Sequence, residues 1–141
     1  MKTKLYVLSI LCTLLVALPA TASAFNYISA EETRDKLTNQ VPMTLIDIQE
    51  EKEFEQHHII GAVATHAYPV KSAEDREKMD DAIATLKTSD TIAVIVCPRG
   101  GGGAERAYNH LVSSGIAEER VYILTKGQAA WPYPELLDGN Q

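Results

Sequence analysis

The chain is poor in cysteine, in aromatic residues and in positive charge. Of its 141 residues only Cys12 and Cys97 are cysteine, and only 6% are aromatic. Two cysteines cannot form the disulfide framework of a small secreted scaffold. Thirteen Lys and Arg residues against nineteen Asp and Glu give a formal charge of −6, with no basic patch. Such a chain is a poor electrostatic partner for nucleic acid or for an anionic lipid surface.

An apolar run long enough to span a bilayer is also missing. The longest run, Leu5–Leu18, has 14 residues, whereas a transmembrane helix needs about 20. Two lysines precede this run, and Ala22-Ser23-Ala24 follows it with the small-x-small pattern of a signal peptidase site. We therefore expect residues 1–24 to be a cleaved signal peptide. Residues 25–141 would form one exported domain, in the bacterial periplasm, without membrane attachment after cleavage.

The predicted mature chain would carry a single thiol, that of Cys97. It would have 117 residues, which suits one domain, and a net charge of −8 after the loss of two lysines. The 45% hydrophobic and 23% charged residues exclude wholesale disorder. In an oxidising compartment a lone cysteine is either buried and inert or retained for its reactivity.

Local patterns alternate between strands and helices. Two runs of β-branched and apolar residues, 44–48 and 91–96, are typical of buried parallel strands. This alternation predicts an α/β fold with a mostly parallel sheet and helices on both faces. The predicted strands are 44–48, 59–63 with a bend at Gly61, 91–96 and 121–124. The predicted helices are 30–38 with a capping box at Ser29 and Glu32, 50–56, 72–86 capped by Ser72, and 104–114 ended by Gly115.

The chemistry is predicted to lie at the end of the most apolar strand. Ligands of open α/β sheets bind at the carboxyl ends of strands, which is where Cys97 falls. Gly100, Gly101, Gly102 and Gly103 follow it, and a backbone without side chains can curl so that several N–H groups form an anion nest. The next helix adds the partial positive charge of its N-terminus. Both effects favour the thiolate over the thiol.

Three reactions of such a thiolate compete. Attack on phosphate requires an Arg after five intervening residues, but position 103 is Gly. Thiol–disulfide exchange usually uses a second nearby cysteine, which the predicted mature chain lacks. Attack on a sulfane sulfur would leave a persulfide on Cys97, whose terminal anion would occupy the nest. The third reaction fits best, and it needs no cofactor because the cysteine carries the sulfur covalently.

Four segments, in order and at the right spacing, resemble the rhodanese (sulfurtransferase) family. They are Leu45-Ile46-Asp47-Ile48; Glu53-Phe54 with His58-Ile59 and Gly61-Ala62; Val96-Cys97-Pro98-Arg99-Gly100; and Val121–Leu124 with Gly127 and Trp131. The resemblance implies a single rhodanese-like domain, with a five-stranded, mostly parallel sheet and helices on both faces. It also implies that Cys97 is the persulfide-forming nucleophile. The six-residue loop 97–102 has the length associated with sulfur substrates rather than phosphate.

The chain departs from the family pattern at several positions. Gln49 replaces the usual Arg, His57 a Gly, Ile60 a Pro and Lys126 a Gly, and Gly102 stands where Arg or Thr is frequent. Arg99 is the one charged side chain of the loop, so efficient use of dianionic thiosulfate is in doubt. Polysulfide, a protein persulfide or another chalcogen oxyanion are equally open as donors.

The predicted site therefore consists of the nucleophile Cys97 and an anion-binding set: Arg99, Gly100, Gly101, Gly102, Gly103 and Lys126. Its predicted partners are a small sulfur-containing anion, or a protein persulfide or thiol. The alternative function is an anion-binding or redox-sensing module that keeps the fold without turnover.

Other polar and aromatic residues are expected to be structural. They are Asp47 as a hydrogen-bonding group, His58 tying a turn, His110 at the surface and Trp131 in the core. His57, His58 and His66 show no recognisable ligand spacing, so no metal site is predicted.

Overall fold

The structure, a computed structural model, describes residues 25–139. The predicted signal peptide lies outside these residues. The strands are β1 (Tyr27–Ile28), β2 (Met43–Asp47), β3 (His58–Ile59), β4 (Val63–Ala64), β5 (Ile92–Val96), β6 (Val121–Leu124) and β7 (Leu137–Asp138). The helices are α1 (Ala30–Thr38), α2 (Glu51–Gln56), α3 (Ala73–Glu77), α4 (Asp80–Lys87) and α5 (Gly102–Ser113).

Five parallel strands form the main sheet, in the order β1-β6-β5-β2-β4. The central strand is β5, which pairs with β6 on one side and β2 on the other. A central parallel strand is covered on both faces, which explains its unbroken apolar sequence. The predicted α/β class and five-stranded parallel sheet are confirmed. Sequence patterns did not locate β1 and β7, because two residues are too few to show a period.

The two faces of β5 pack against different cores. Ala93, Ile95 and Cys97 belong to a cluster completed by apolar residues of α4 and α5. Val94 and Val96 belong to a second cluster, which α1 and the C-terminal segment around Trp131 cover. Successive side chains of a strand point to opposite faces, so this alternation places the Cys97 side chain on the face of α5. Helices cover both faces, as predicted.

The predicted helix 72–86 is wrong as one continuous helix. It is two helices, α3 and α4, and the turn between them forms because the Met79 N–H bonds to the Arg76 carbonyl at 3.0 Å. This bond spans three residues instead of four and tightens the chain. Met79, Ile83 and Leu86 are nevertheless buried, so the predicted apolar face is correct. The spacing of the apolar residues did not indicate the break between α3 and α4, because one tight turn hardly changes that spacing.

Gly61 divides the predicted extended segment 59–63 between two sheets. The residues before it form β3, which pairs with β7 in a small antiparallel sheet, and the residues after it form β4 at the edge of the main sheet. Gly61 has φ +79°, a conformation that glycine adopts without steric cost. The predicted bend is therefore confirmed.

Helix ends follow the predicted caps in part. The Ser29 hydroxyl accepts the Glu32 N–H at 3.0 Å, but the Glu32 carboxylate lies 3.5 Å from Lys36 Nζ instead of completing the predicted capping box. A complete capping box occurs at Ser72 and Asp75.

Gly115 ends α5 as predicted. At φ +98° its N–H bonds to the Val112 carbonyl at 3.0 Å, and the Ile116 N–H bonds to the Leu111 carbonyl at 3.1 Å. This pair of bonds is the Schellman motif.

Arg120 joins the end of α4 to the start of β5. Its Nη2 donates to the carbonyls of Leu86 at 3.0 Å, Ser89 at 2.7 Å and Thr91 at 2.8 Å, and its Nε donates to Thr91 at 3.1 Å. The Leu86 carbonyl, in the last turn of α4, also accepts the Ser89 N–H at 3.4 Å, and the guanidinium adds a charged donor to all three carbonyls.

Replacement of Arg120 by Ala should lower the free energy of unfolding by about 2–4 kcal/mol, because three partly buried carbonyls lose a charged donor. Urea denaturation measures the loss. Lys52→Ala, on exposed α2, is the control and should change stability by no more than about 0.5 kcal/mol. Equal stabilities of the two variants would contradict this role.

Candidate active site

Cys97 lies directly after β5, at the carboxyl edge of the central strand. Its side chain is a free thiol and only 2% of the residue is exposed. The Gly100 N–H donates to Cys97 Sγ at 2.8 Å. The sulfur therefore lies where the strand and loop were predicted to place it, with one backbone amide pointing at it.

The conformation of the loop after Cys97 depends on close backbone packing. Gly100 has φ +69°, and a Cβ on it would lie 2.7 Å from the backbone nitrogen of Lys126. Gly127 has φ +61°, and a Cβ there would overlap the Cys97 carbonyl oxygen. That oxygen accepts the Gln128 N–H at 2.8 Å. The turn at 126–127 therefore holds the loop in place through main-chain contacts.

The helix after the loop begins earlier than predicted. The predicted start at Ala104 is wrong: Gly101 is the N-cap, and Gly102 and Gly103 form the first residues of α5. The sequence pattern assigns the glycines before Ala104 to a loop, but the packing of a fold can also require glycine in the first turn of a helix. A Cβ on Gly103 would lie 2.8 Å from Cε2 of Tyr68, so the helix can approach this ring only with glycine here.

A cavity of about 150 Å³ opens above Cys97. Its lining residues are Tyr68, Cys97, Arg99, Gly101, Gly102 and Gly103. Gly102 and Gly103 occupy the first turn of α5, where N–H groups have no partner within the helix. The cavity therefore combines a thiol, the start of a helix and a cation, and it is large enough for a small anion.

Most of the predicted site residues are brought together around this cavity. Cys97, Arg99 and three of the four glycines line it, and Gly100 contacts the sulfur. The Lys126 side chain is exposed and is not among the lining residues. The contact of Lys126 with the loop is made by its backbone, which packs against Gly100 at φ +63°.

Two residues at this site were not predicted from the sequence. Tyr68 lines the cavity from a segment 29 residues before Cys97, and no local pattern indicates this contact. Arg106 places Nη1 3.0 Å from where a Cβ of Gly102 would lie, and its Nε donates to the Pro69 carbonyl at 2.9 Å. Because positions i and i+4 of a helix are neighbours, the spacing of Gly102 and Arg106 could have indicated this cation once the helix start was known.

Arg99 also borders a second cavity, of about 180 Å³, on the other side of the loop. Gln49, His57 and Gln128 are among its lining residues. Gln128 is 3% exposed, and its side-chain amide has no hydrogen-bond partner among residues 25–139. Arg99 thus borders two cavities, and its side chain is exposed.

Asp47 is fully buried at the end of β2. Its Oδ1 accepts the backbone N–H of Gln49 at 2.8 Å and its Oδ2 accepts the side-chain amide of Gln49 at 3.0 Å. Burial raises the pKa of the Asp47 carboxyl to about 6, although the two Gln49 bonds and nearby His58 and His66 act to lower it. These contacts correspond to the predicted structural role.

The other singled-out residues are largely structural. His58 Nδ1 lies 2.8 Å from the Phe54 carbonyl and ties α2 to β3, and Trp131 is buried with its Nε1–H on the Tyr133 carbonyl at 2.9 Å. Both predictions are confirmed.

His110 is half-buried, with a shielded Nε2, instead of lying at the surface. Within residues 25–139 no cluster of His, Cys, Asp or Glu could hold a metal ion.

The site and its surroundings match a known family. The model of the rhodanese-like domain family covers residues 29–132 of this chain. The chain belongs to the rhodanese-like domain family. The family includes sulfurtransferases and phosphatase-like members, so membership by itself leaves the reaction open.

Solved structures share the rhodanese-like fold. A rhodanese-like domain from Anabaena is 24% identical with a TM-score of 0.64, covering 83% of this chain and 81% of its own. An As-Sb reductase from Leishmania major is 20% identical with a TM-score of 0.64, covering 84% and 88%. A yeast protein tyrosine phosphatase of the rhodanese family is 14% identical with a TM-score of 0.65, covering 86% and 96%. At these identities the likeness concerns the fold. No curated protein matches the chain.

The predicted export signal falls in residues 1–24, outside the described part of the chain, and remains a prediction. Between residues 25 and 139 no helix has the length and apolar character needed to cross a membrane.

Substitution of Gly100 by Ala should destabilise the protein by at least about 2 kcal/mol, since a positive φ costs a side chain about 1–3 kcal/mol and the new Cβ meets backbone. The same substitution should slow the alkylation of Cys97 by iodoacetamide, because the Gly100 N–H moves away from the sulfur. Gly101→Ala is the matched control: no atom lies within 4 Å of its Cβ position. Similar effects of the two substitutions would contradict the packing described for the loop.

Asp47 should make stability fall as the pH rises from about 4 to 6. In this range the folded protein keeps a proton that the unfolded chain, with the ordinary pKa of 3.8, has released. Asp47→Asn keeps an acceptor for Gln49 but cannot ionise. The stability difference between wild type and variant, measured by urea denaturation, should shift against the wild type by about 1–3 kcal/mol between pH 4 and pH 7. A difference that is constant with pH would show that Asp47 does not titrate in this range.

Proposed function

We propose that this rhodanese-like domain is a sulfurtransferase or sulfur carrier that forms a persulfide on Cys97. The observation that supports it most directly is the position of Cys97 Sγ. The sulfur accepts the Gly100 N–H at 2.8 Å and lines a cavity whose other wall is the glycine-rich start of α5. A negative sulfur in this position is stabilised by main-chain dipoles without a metal or a cofactor.

The first step is attack by the Cys97 thiolate on the sulfane sulfur of a donor. A new S–S bond forms to Cys97 while the donor's own bond to that sulfur breaks. The leaving group takes the electron pair of the broken bond, as sulfite from thiosulfate or as a thiolate from a persulfide. No external oxidant is required, because the transferred sulfur arrives in its oxidised state.

The second step transfers the outer sulfur to an acceptor. A nucleophile such as cyanide or a partner thiolate attacks the terminal sulfur, the S–S bond breaks, and the electron pair returns to Cys97 as thiolate. Until then the terminal sulfur would lie in the cavity beside Gly102 and Gly103, whose first-turn N–H groups have no partner within α5. Charged hydrogen bonds of this kind contribute about 1.5–3 kcal/mol each.

The donor class follows from the size and charge of the cavity. A volume of about 150 Å³ suits a small sulfane anion or the tip of a protein persulfide. Arg99 lines the cavity, and Arg106 lies against Gly102, itself a lining residue, so a second cation lies near the cavity although the loop contains only one. Arg106 thus supplies positive charge next to position 102, where the family frequently has Arg or Thr. This placement supports an anionic donor.

A phosphatase-like reaction is disfavoured by the packing at position 103. A phosphate clamp would need an Arg there, but a Cβ on Gly103 would already lie 2.8 Å from the Tyr68 ring. Export to the periplasm, where a lone thiol would meet oxidised sulfur compounds, is part of the proposal and depends on residues 1–24 acting as a signal.

The proposal is tested by mass spectrometry of residues 25–141 after incubation with thiosulfate, polysulfide or a low-molecular-weight persulfide. At least one donor should add about 32 Da to the peptide that contains Cys97, as expected for one persulfide sulfur. Cyanide should remove this mass and yield thiocyanate. Cys97→Ser is the control and should gain no mass, since these residues contain no other cysteine.

Absence of an adduct with every donor, on folded protein, would overturn the proposal in favour of an anion-binding or redox-sensing module. Hydrolysis of para-nitrophenyl phosphate by the wild type but not by Cys97→Ser would instead favour the phosphatase-like branch of the family.

A further inference from the structure

The largest of the cavities described lies beyond Arg106, on the side of α5 away from Cys97. It has a volume of about 460 Å³ and is bordered by the segment before α3, by α3 and by the outer face of α5. Its polar lining residues are Lys71, Arg76, Arg106, Asn109, His110 and Ser113. Three of these side chains are cations, and no carboxylate is among the lining residues.

None of these three cations forms a close ion pair within residues 25–139, although Glu74 lies near enough to Arg76 for an electrostatic interaction. The salt bridges found within residues 25–139 join other pairs, and none involves Lys71, Arg76 or Arg106. Arg76 donates to the Lys71 carbonyl at 3.2 Å and Arg106 donates to the Pro69 carbonyl at 2.9 Å. Both bonds orient a guanidinium without cancelling its charge. The nearby carboxylate of Asp75 accepts two backbone N–H groups at the start of α3 and lies 3.8 Å from Lys78.

An anionic ligand would stabilise three cations that line one cavity. The whole chain is acidic, with a charge of −6, so three cations around one cavity are not explained by composition. Like charges at short range repel one another, and an anion between them converts that repulsion into attraction. Asn109 and Ser113 add neutral hydrogen-bonding groups to the same wall.

We propose that this cavity binds a small molecule that carries several anionic oxygens, as phosphate or carboxylate groups. Its volume falls in the range of about 300–1,000 Å³ that is typical of small-molecule sites, and it exceeds what one free phosphate would fill. Arginine guanidinium groups match the paired oxygens of either group, and Lys71 supplies a further point charge.

The imidazole of His110 is a further polar group at the site. Its Nε2 is shielded and has no hydrogen-bond partner among the described residues. The ring must turn toward the cavity for a ligand oxygen to reach this atom. Bound ligand would then satisfy a polar atom that has no partner among residues 25–139.

The test is an amide NMR titration of residues 25–141 with pyrophosphate and, separately, with citrate, at constant ionic strength so that screening does not change. Saturable shifts are expected around Lys71, Arg76 and Asn109. The double variant Lys71→Gln/Arg76→Gln should weaken binding by about tenfold or more, because it removes charged hydrogen bonds. Arg34→Gln/Lys36→Gln on α1 removes the same charge from the opposite face of the sheet and should leave binding unchanged.

Binding of either probe with this pattern supports the proposal, and the probe that binds identifies phosphate or carboxylate as the recognised group. Shifts that do not saturate, or equal weakening by the two double variants, would overturn it. Shifts confined to the residues around Cys97 would also overturn it. Persulfide formation on Cys97 is measured in a separate assay, so failure here and failure of the proposed sulfur transfer are distinguishable.

Discussion

The candidate site depends on a contact between two stretches of main chain with no side chain between them. Gly100 packs against the backbone of Lys126 and Gly127, and Gly127 packs against the Cys97 carbonyl. Added bulk at either glycine would meet backbone, which cannot move aside as a flexible side chain can. The contact holds the loop in the conformation that brings the Gly100 N–H to 2.8 Å from the sulfur. Strand β6 supplies this support because it ends beside β5 in the sheet.

The charges around the candidate site differ in sign from the net charge of the chain. An overall charge of −6 would repel the anionic donors proposed for Cys97. Main-chain dipoles at the start of α5 and the cations Arg99 and Arg106 would oppose this repulsion at one edge of the sheet. Arg106 lies between two cavities of different size, and the glycines that open the smaller one also allow α5 to approach Tyr68. The same helix therefore supports the core, borders the thiol and lines the cationic cavity.

The sequence was most informative where structure is local. The strands β2, β5 and β6, the bend at Gly61 and the Gly115 cap were all predicted from short patterns, because each depends on neighbouring residues. One error concerns a contact between residues far apart in the chain, and the other concerns a local hydrogen bond. The first turn of α5 contains Gly103, where the ring of Tyr68, distant in the chain, leaves no room for a side chain. The division of 72–86 into two helices accompanies the hydrogen bond from Met79 to Arg76, which spans three residues instead of four and which the apolar spacing does not reveal.

By itself, then, the sequence determined the alternation of strands and helices, the burial of β5 and the position of Cys97 between a strand and a run of glycines. The spacing of hydrophobic residues and the positions of the glycines indicate these features directly. Only the tertiary structure decided which side chains share a cavity with the thiol. It brought Tyr68 into that cavity, left the Lys126 side chain outside, and placed Arg106 beside Gly102 and on the cationic cavity at the far side of α5. Such neighbours depend on the order of the strands and the packing of the helices, which join residues far apart in the chain.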